Sequence, residues 1–96
     1  MPTPAKLLLR ERLVLGADRF VDVVIWQVPA PLRGSLHRYK YRLAFVVNEV
    51  CVLRFDNEPG KGDHFHIGER EEFYQFVSLD QLAEDFWAAV GRWEVV

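Results

Sequence analysis

The chain has 96 residues, of which 50% are hydrophobic, 14% aromatic and 27% charged, with a formal net charge of -2. This supply builds one compact core and leaves no room for two, so extended disorder and a two-domain layout are excluded and residues 1–96 read as a single domain. A near-neutral chain does not announce a nucleic-acid or membrane binder, so any basic face must be local.

The one cysteine, Cys51, rules out an internal disulfide, and its place in Val50-Cys51-Val52-Leu53 predicts an inert, buried strand thiol. Met1–Arg12 lacks the apolar run of a signal peptide, and no segment approaches the ~20 apolar residues of a membrane span. The expected location is the cytoplasm, with no membrane partner.

Met1–Ala5, with Pro2 and Pro4, reads as a loose lead-in. Leu7–Leu15 and Arg19–Val28 read as strands joined at the turn residues Gly16-Ala17-Asp18. Pro29–Ser35 is a loop, because two prolines and a glycine cannot sit inside a sheet. His37–Val47 alternates cleanly: Tyr39, Tyr41, Leu43, Phe45 and Val47 share one face, and Arg38, Lys40 and Arg42 share the other. Asn48-Glu49 allows a hairpin into Val50–Phe55, although Glu fits a tight turn less well than Asn.

Asp56–Gly62 reads as a second loop, followed by short strands at His64–Ile67 and Glu72–Phe76 around Gly68–Glu71. The period then changes. Ser78-Leu79-Asp80-Gln81 matches a capping box, with Val77 and Leu82 placed for a hydrophobic staple. Leu79, Leu82, Ala83, Phe86 and Val90 form one helical stripe, and Gly91 is the predicted stop. The fold class that follows is α+β: an antiparallel sheet of five to six strands packed against one C-terminal helix, whose stripe covers the Tyr39–Val47 face.

The chemistry concentrates in Asp56-Asn57-Glu58-Pro59-Gly60-Lys61-Gly62-Asp63-His64-Phe65-His66. On a strand, His64 and His66 point to the same side, roughly 7 Å apart at the backbone. Histidine exchanges protons near neutral pH, which suits a pair working on one substrate. A shared metal would need further ligands from Asp56, Asp63, Glu69 or His37. No zinc spacing or cysteine pair appears, so no metal and no cofactor is assigned.

Gly60 and Gly62 let the backbone approach an anion and Lys61 adds charge, but the spacing is not that of a P-loop. Arg38, Lys40 and Arg42, joined by Arg54 from the next strand, form a basic row suited to RNA phosphates. The plainer reading of that row is a solvated sheet face. Trp26, Trp87 and Trp93 read as core or interface.

Several strings together, Tyr41–Val47, Arg54–Glu58, Gly60–His66, Phe76, Leu79 and Asp85-Phe86-Trp87, resemble the TumE-type toxins of toxin–antitoxin systems. The likeness runs over roughly Tyr39–Val90. It implies a small growth inhibitor acting on RNA or translation, encoded beside a DNA-binding antitoxin that is its partner. It implies no role for any single residue, and it leads one to expect an Asp-Gly-type turn where this chain has Asn48-Glu49.

Three function classes follow, with a metal-dependent nuclease as a fourth option behind them. In the first, a metal-independent ribonuclease, His64 and His66 are base and acid, Lys61 and Arg54 hold the phosphate, and Asp63 or Asp56 orients an imidazole, with Asn57 and Glu58 supporting the site. In the second, the basic row and the glycine loop bind RNA without chemistry. In the third, Trp87, Trp93 and the tail Glu94-Val95-Val96 meet an antitoxin or a second copy in a homodimer.

Overall fold

A computed structural model describes residues 4–95. Met1–Thr3 of the predicted lead-in and Val96 of the predicted tail interface lie outside the described residues. Six strands run in chain order: β1 (Lys6–Gly16), β2 (Arg19–Gln27), β3 (Tyr39–Val47), β4 (Val50–Glu58), β5 (Gly62–Ile67) and β6 (Arg70–Phe73). One helix, α1 (Leu79–Val95), follows. Each strand pairs antiparallel with its sequence neighbour, giving a six-stranded meander in the order β1-β2-β3-β4-β5-β6. The expected α+β architecture is the one observed.

The period-two alternation sorts side chains onto two faces. Val21, Val23 and Ile25 of β2, Tyr41, Leu43, Phe45 and Val47 of β3, and Leu53 and Phe55 of β4 are buried. They pack with Leu82, Phe86, Ala89 and Val90 of α1 into one core. Burying each such side chain contributes on the order of 1.5–3 kcal/mol, so this face carries most of the stability. Among the described residues the opposite face carries no helix, and it holds Asp22, Lys40, Arg42, Arg54 and Asp56 of the same strands, while Arg19 stays on the helix side beside Glu94.

The helix begins as the sequence indicates: Ser78 Oγ accepts from the Gln81 N–H at 3.0 Å. The reciprocal bond from the Ser78 N–H to the Gln81 side-chain oxygen is absent among the described residues, and the Gln81 amide donates to Asp85 Oδ1 at 2.8 Å. The staple also fails, since Val77 is 69% exposed while Leu82 is fully buried. Gly91 does not end the helix. Trp93 packs edge-on against Phe45 at 5.4 Å, and Glu94 meets Arg19 at 3.3 Å, so two anchors hold an extra turn.

Two further expectations change. Cys51 is exposed rather than buried. Asp56–Gly62 is not a single loop: β4 continues to Glu58 and β5 starts at Gly62, leaving Pro59–Lys61 as the connection. Asp and Asn read locally as turn formers, but here their side chains have cross-strand partners that keep the strand extended. The last strand is Arg70–Phe73, slightly earlier than predicted.

The β3–β4 turn is a two-residue hairpin, Val47 pairing with Val50. Asn48 has φ 50° and Glu49 has φ 67°. Both lie in the left-handed region that such tight turns require, which Asn tolerates and Glu does not. The turn thus forms without the glycine expected of it, at a local cost. Glu49→Gly is expected to raise stability by about 0.5–1 kcal/mol, the relief of positive φ outweighing the added chain entropy. Urea unfolding checks this: the midpoint rises with an unchanged m-value, and an unchanged or lower midpoint contradicts the left-handed turn.

Candidate functional site

The β4–β5 register decides where the polar residues stand. Arg54 faces His66, Asp56 faces His64 and Asn57 faces Asp63. On the other side of β4, Arg42 of β3 also faces Asp56. Alternation therefore puts Arg42, Arg54, Asp56, His64 and His66 on the open face, and Asn57 and Asp63 on the helix side. The two imidazoles share a face, with ring centroids 5.0 Å apart.

His64 is 3% exposed. Its Nδ1 lies 3.1 Å from the Gly62 carbonyl, which can only accept, so Nδ1–H is the donor. Its Nε2 lies 2.7 Å from Asp56 Oδ1. That contact has hydrogen-bond distance without hydrogen-bond direction, so both atoms lack an aligned partner among the described residues. The same holds for His66 Nε2 and for Arg54 Nε, although the latter sits 3.1 Å from Asp56 Oδ2. Glu71 Oε1 stands 3.9 Å from His64 Nε2 and 4.0 Å from His66 Nε2. Burial and the neighbouring Arg54 lower the His66 pKa below the usual histidine value, so the ring favours its neutral form.

Lys61 is exposed and touches the cluster only through Glu71, at 3.3 Å. That contact holds the Glu71 carboxyl below its ordinary pKa. Asp63 does not orient His64 or His66. Across the sheet it accepts from the Tyr41 hydroxyl at 2.8 Å and from His37 Nε2 at 2.8 Å. Burial, then Asp63, raises the Tyr41 pKa and keeps that phenol protonated. Of the two carboxylates proposed as imidazole partners, Asp56 is the one in place.

Asn57 is 2% exposed and does not face the cluster. Its Oδ1 accepts from the Tyr41 N–H at 3.0 Å, and its Nδ2 donates to the Tyr39 carbonyl at 2.7 Å. The amide thus replaces the β3–β4 backbone ladder, which stops at Arg42–Asp56. Glu58 is exposed at the rim of the open face.

The glycine loop does not present free amides. Gly60 N–H donates to Arg33 O at 2.7 Å and Lys61 N–H to Glu58 O at 3.1 Å. Gly62, at φ +74°, packs against Gly34, where an added Cβ would lie 2.6 Å from the Gly34 carbonyl oxygen. These glycines serve a turn and a close backbone approach.

Beside the cluster the open face forms a hollow of about 380 Å³, lined by Trp26, Lys40, Arg42, Arg54, Asp56 and Glu58 among others. Arg38 precedes the strand and borders a separate shallow recess with Lys6 and Pro29. Trp26, opposite Lys40 across β2–β3, is the residue that sequence reasoning placed in the core or an interface. Glu71, placed by the sequence in the Gly68–Glu71 connection, is the other. The alternation of β2 held the signal for Trp26; only the β5–β6 pairing places Glu71.

The family model described as Toxin TumE matches residues 3–94, nearly the whole chain. The chain belongs to the TumE toxin family. It is a toxin of a toxin–antitoxin system, and the antitoxin is the partner that such a system supplies. No curated protein and no solved structure matches the toxin. Among its described residues no helix is long and apolar enough to cross a membrane.

Asn57→Leu is expected to destabilise the toxin by about 2–4 kcal/mol, because it leaves a buried N–H and a buried carbonyl unpaired. Denaturant unfolding measures the loss; a change below about 0.5 kcal/mol contradicts the bridging role assigned to this amide.

Proposed function

We propose that the toxin acts on RNA, with the open sheet face as the binding surface and the Asp56–His64–His66 end as the place where the phosphodiester is attacked. The observation that carries the reading is the hollow lined by Lys40, Arg42, Arg54 and Trp26, running through Asp56 into uncommitted polar atoms. Cations that track a backbone beside an aromatic on which a base can stack are the elements of single-strand binding. A hollow of about 380 Å³ also suits one nucleotide unit.

The acid–base pair written for His64 and His66 needs both rings open to substrate. Only His66, 21% exposed at its side chain, meets that need, while the His64 side chain is 4% exposed and engaged at Nδ1. His64 and Asp56 therefore act as the fixed part of the centre, and His66 and Arg54 as the part that meets the phosphate. Arg54 is placed to offset charge developing on the phosphoryl oxygens. Arg38 and Lys61 lie at the margins and add long-range attraction.

Fluorescence anisotropy with labelled single-stranded RNA across a salt series tests the face. Lys40→Ala with Arg42→Ala is expected to weaken binding and to reduce the slope of log K against log salt by roughly 0.7 for each cation removed. Trp26→Ala is expected to weaken binding with the slope unchanged, a stacking loss of about 1–3 kcal/mol. His66→Ala is expected to bind RNA and leave it intact where the wild type degrades it. Wild-type protein that ignores RNA at low salt sinks the proposal. RNA that is bound but never cut confines the face to binding and inhibition by occlusion.

A further inference from the structure

The open-face cluster carries an inference that goes beyond RNA recognition and stands without it. We propose that Asp56, His64 and His66 are the ligands of a divalent first-row transition metal ion, with Glu71 closing the site from β6. Asp56 and the two imidazoles each offer one ligand atom, and the three atoms lie within 4.8 Å of one another. A tetrahedral ion bound at about 2.0–2.1 Å holds its ligand atoms roughly 3.4 Å apart. Glu71 Oε1 stands 3.9 and 4.0 Å from the two Nε2 atoms, outside the set of three, and joins them by turning from Lys61 Nζ, which it meets at 3.3 Å, toward Asp56.

Hydrogen bonding around the cluster sets the ligand atoms in their binding forms. The Nδ1–H of His64 is held by the Gly62 carbonyl, which in the neutral ring turns the Nε2 lone pair toward the cluster. A metal-binding histidine characteristically donates its other N–H to a carbonyl or carboxylate in this way. Asp56 divides its oxygens similarly: Oδ2 lies against Arg54 Nε at 3.1 Å, and Oδ1 is turned to His64. Arg54 thus sets a positive charge beside Oδ2, at ion-pair distance without hydrogen-bond direction, and leaves Oδ1 to the cluster.

The unaligned atoms tell a metal from a proton. A proton shared by His64 Nε2 and Asp56 Oδ1 would draw the pair into a directed hydrogen bond. At 2.7 Å the direction is instead wrong, and Asp56 Oδ1, His64 Nε2 and His66 Nε2 are all buried without an aligned partner among the described residues. Leaving a buried polar atom unpaired is costly, and three converging on one point is the pattern expected of a missing common partner. The other histidine–aspartate pair of this chain is a contrast. His37 Nε2 donates to Asp63, and its Nδ1 accepts from the Tyr39 N–H, so both ring nitrogens are used.

Ligand chemistry narrows the ion. Two imidazole nitrogens with one or two carboxylate oxygens suit zinc, manganese or ferrous iron, and not calcium or magnesium, which take oxygen ligands.

The test uses toxin made without a histidine tag, stripped with a chelator and free of RNA. Calorimetric titration with Zn²⁺ is expected to give one ion per chain, and Co²⁺ to give the visible absorption of a four-coordinate site. Glu71→Gln is expected to weaken Zn²⁺ binding roughly tenfold, and His66→Gln by more. Glu69→Gln, in the exposed neighbouring turn, is expected to leave affinity unchanged. Urea midpoints confirm that each variant is folded, and the exposed Glu71 supplies a variant with little burial to lose. Folded wild-type protein that takes up no Zn²⁺ at about 100 µM overturns the site, as does equal affinity in folded His66→Gln. Failure to bind RNA leaves this titration untouched, so the two readings fail separately.

Discussion

The contact between Gly34 and Gly62 is the constraint on which the site depends. Gly62 opens β5 at φ +74°, and the Gly34 carbonyl leaves no space for a side chain there. With Gly60 N–H held by Arg33, the Pro29–Ser35 loop clamps the β4–β5 connection from outside. That clamp helps fix which residue of β5 faces which residue of β4. A slip of one residue would send His64 and His66 to the helix side and bring Asp63 to the open face. The same clamp presents the Gly62 carbonyl to His64 Nδ1. Backbone geometry at one glycine therefore governs both the face and the orientation of the buried imidazole.

Two polar clusters built from the same residue types sit on opposite faces of the sheet, and they are finished differently. On the helix side, Asp63, Tyr41 and His37 share directed hydrogen bonds, and His37 stacks on Phe76 at 3.8 Å. Asn57 completes that side by bonding the β3 backbone. Such a closed network rigidifies a fold. On the open side, Asp56, His64, His66 and Arg54 are as close together but lack alignment. Unaligned buried polar atoms do not stabilise a fold, so the closed cluster is explained by what it holds together and the open one is not.

Much of the fold was legible because alternation and capping are local. The run Tyr39–Val47 announced its buried face, and Ser78 announced the helix start. The shared side of His64 and His66 was conditional on a strand there, which the β4–β5 pairing supplies. Long-range partners were not legible. Asp56 and Asn57 carry turn chemistry in isolation; only Arg42, His64 and the β3 backbone, supplied by other strands, keep them extended. Gly91 reads as a stop until Phe45 and Arg19 anchor Trp93 and Glu94 beyond it. Asp63 precedes His64 in sequence, and for that reason points to the other side. Glu71 has no local signal, because its role arises from β6 folding back on His66.

Energetics explain why the cluster must sit where it does. A chain of this size has a net stability of roughly 5–15 kcal/mol, and each unpaired buried polar atom costs about 1–3 kcal/mol. Three or four such atoms would exhaust a weak scaffold. Here they lie on β4 and β5, whose opposite faces bury Leu53 and Phe55 against Phe86 and carry the stacked pair Phe55–Phe65 at 5.2 Å. The strands that hold the uncommitted atoms are thus anchored on their other face by the aromatic core, which offsets the cost of those atoms. Any ion or phosphate that meets them recovers that cost as binding and adds to stability in proportion to its concentration over Kd.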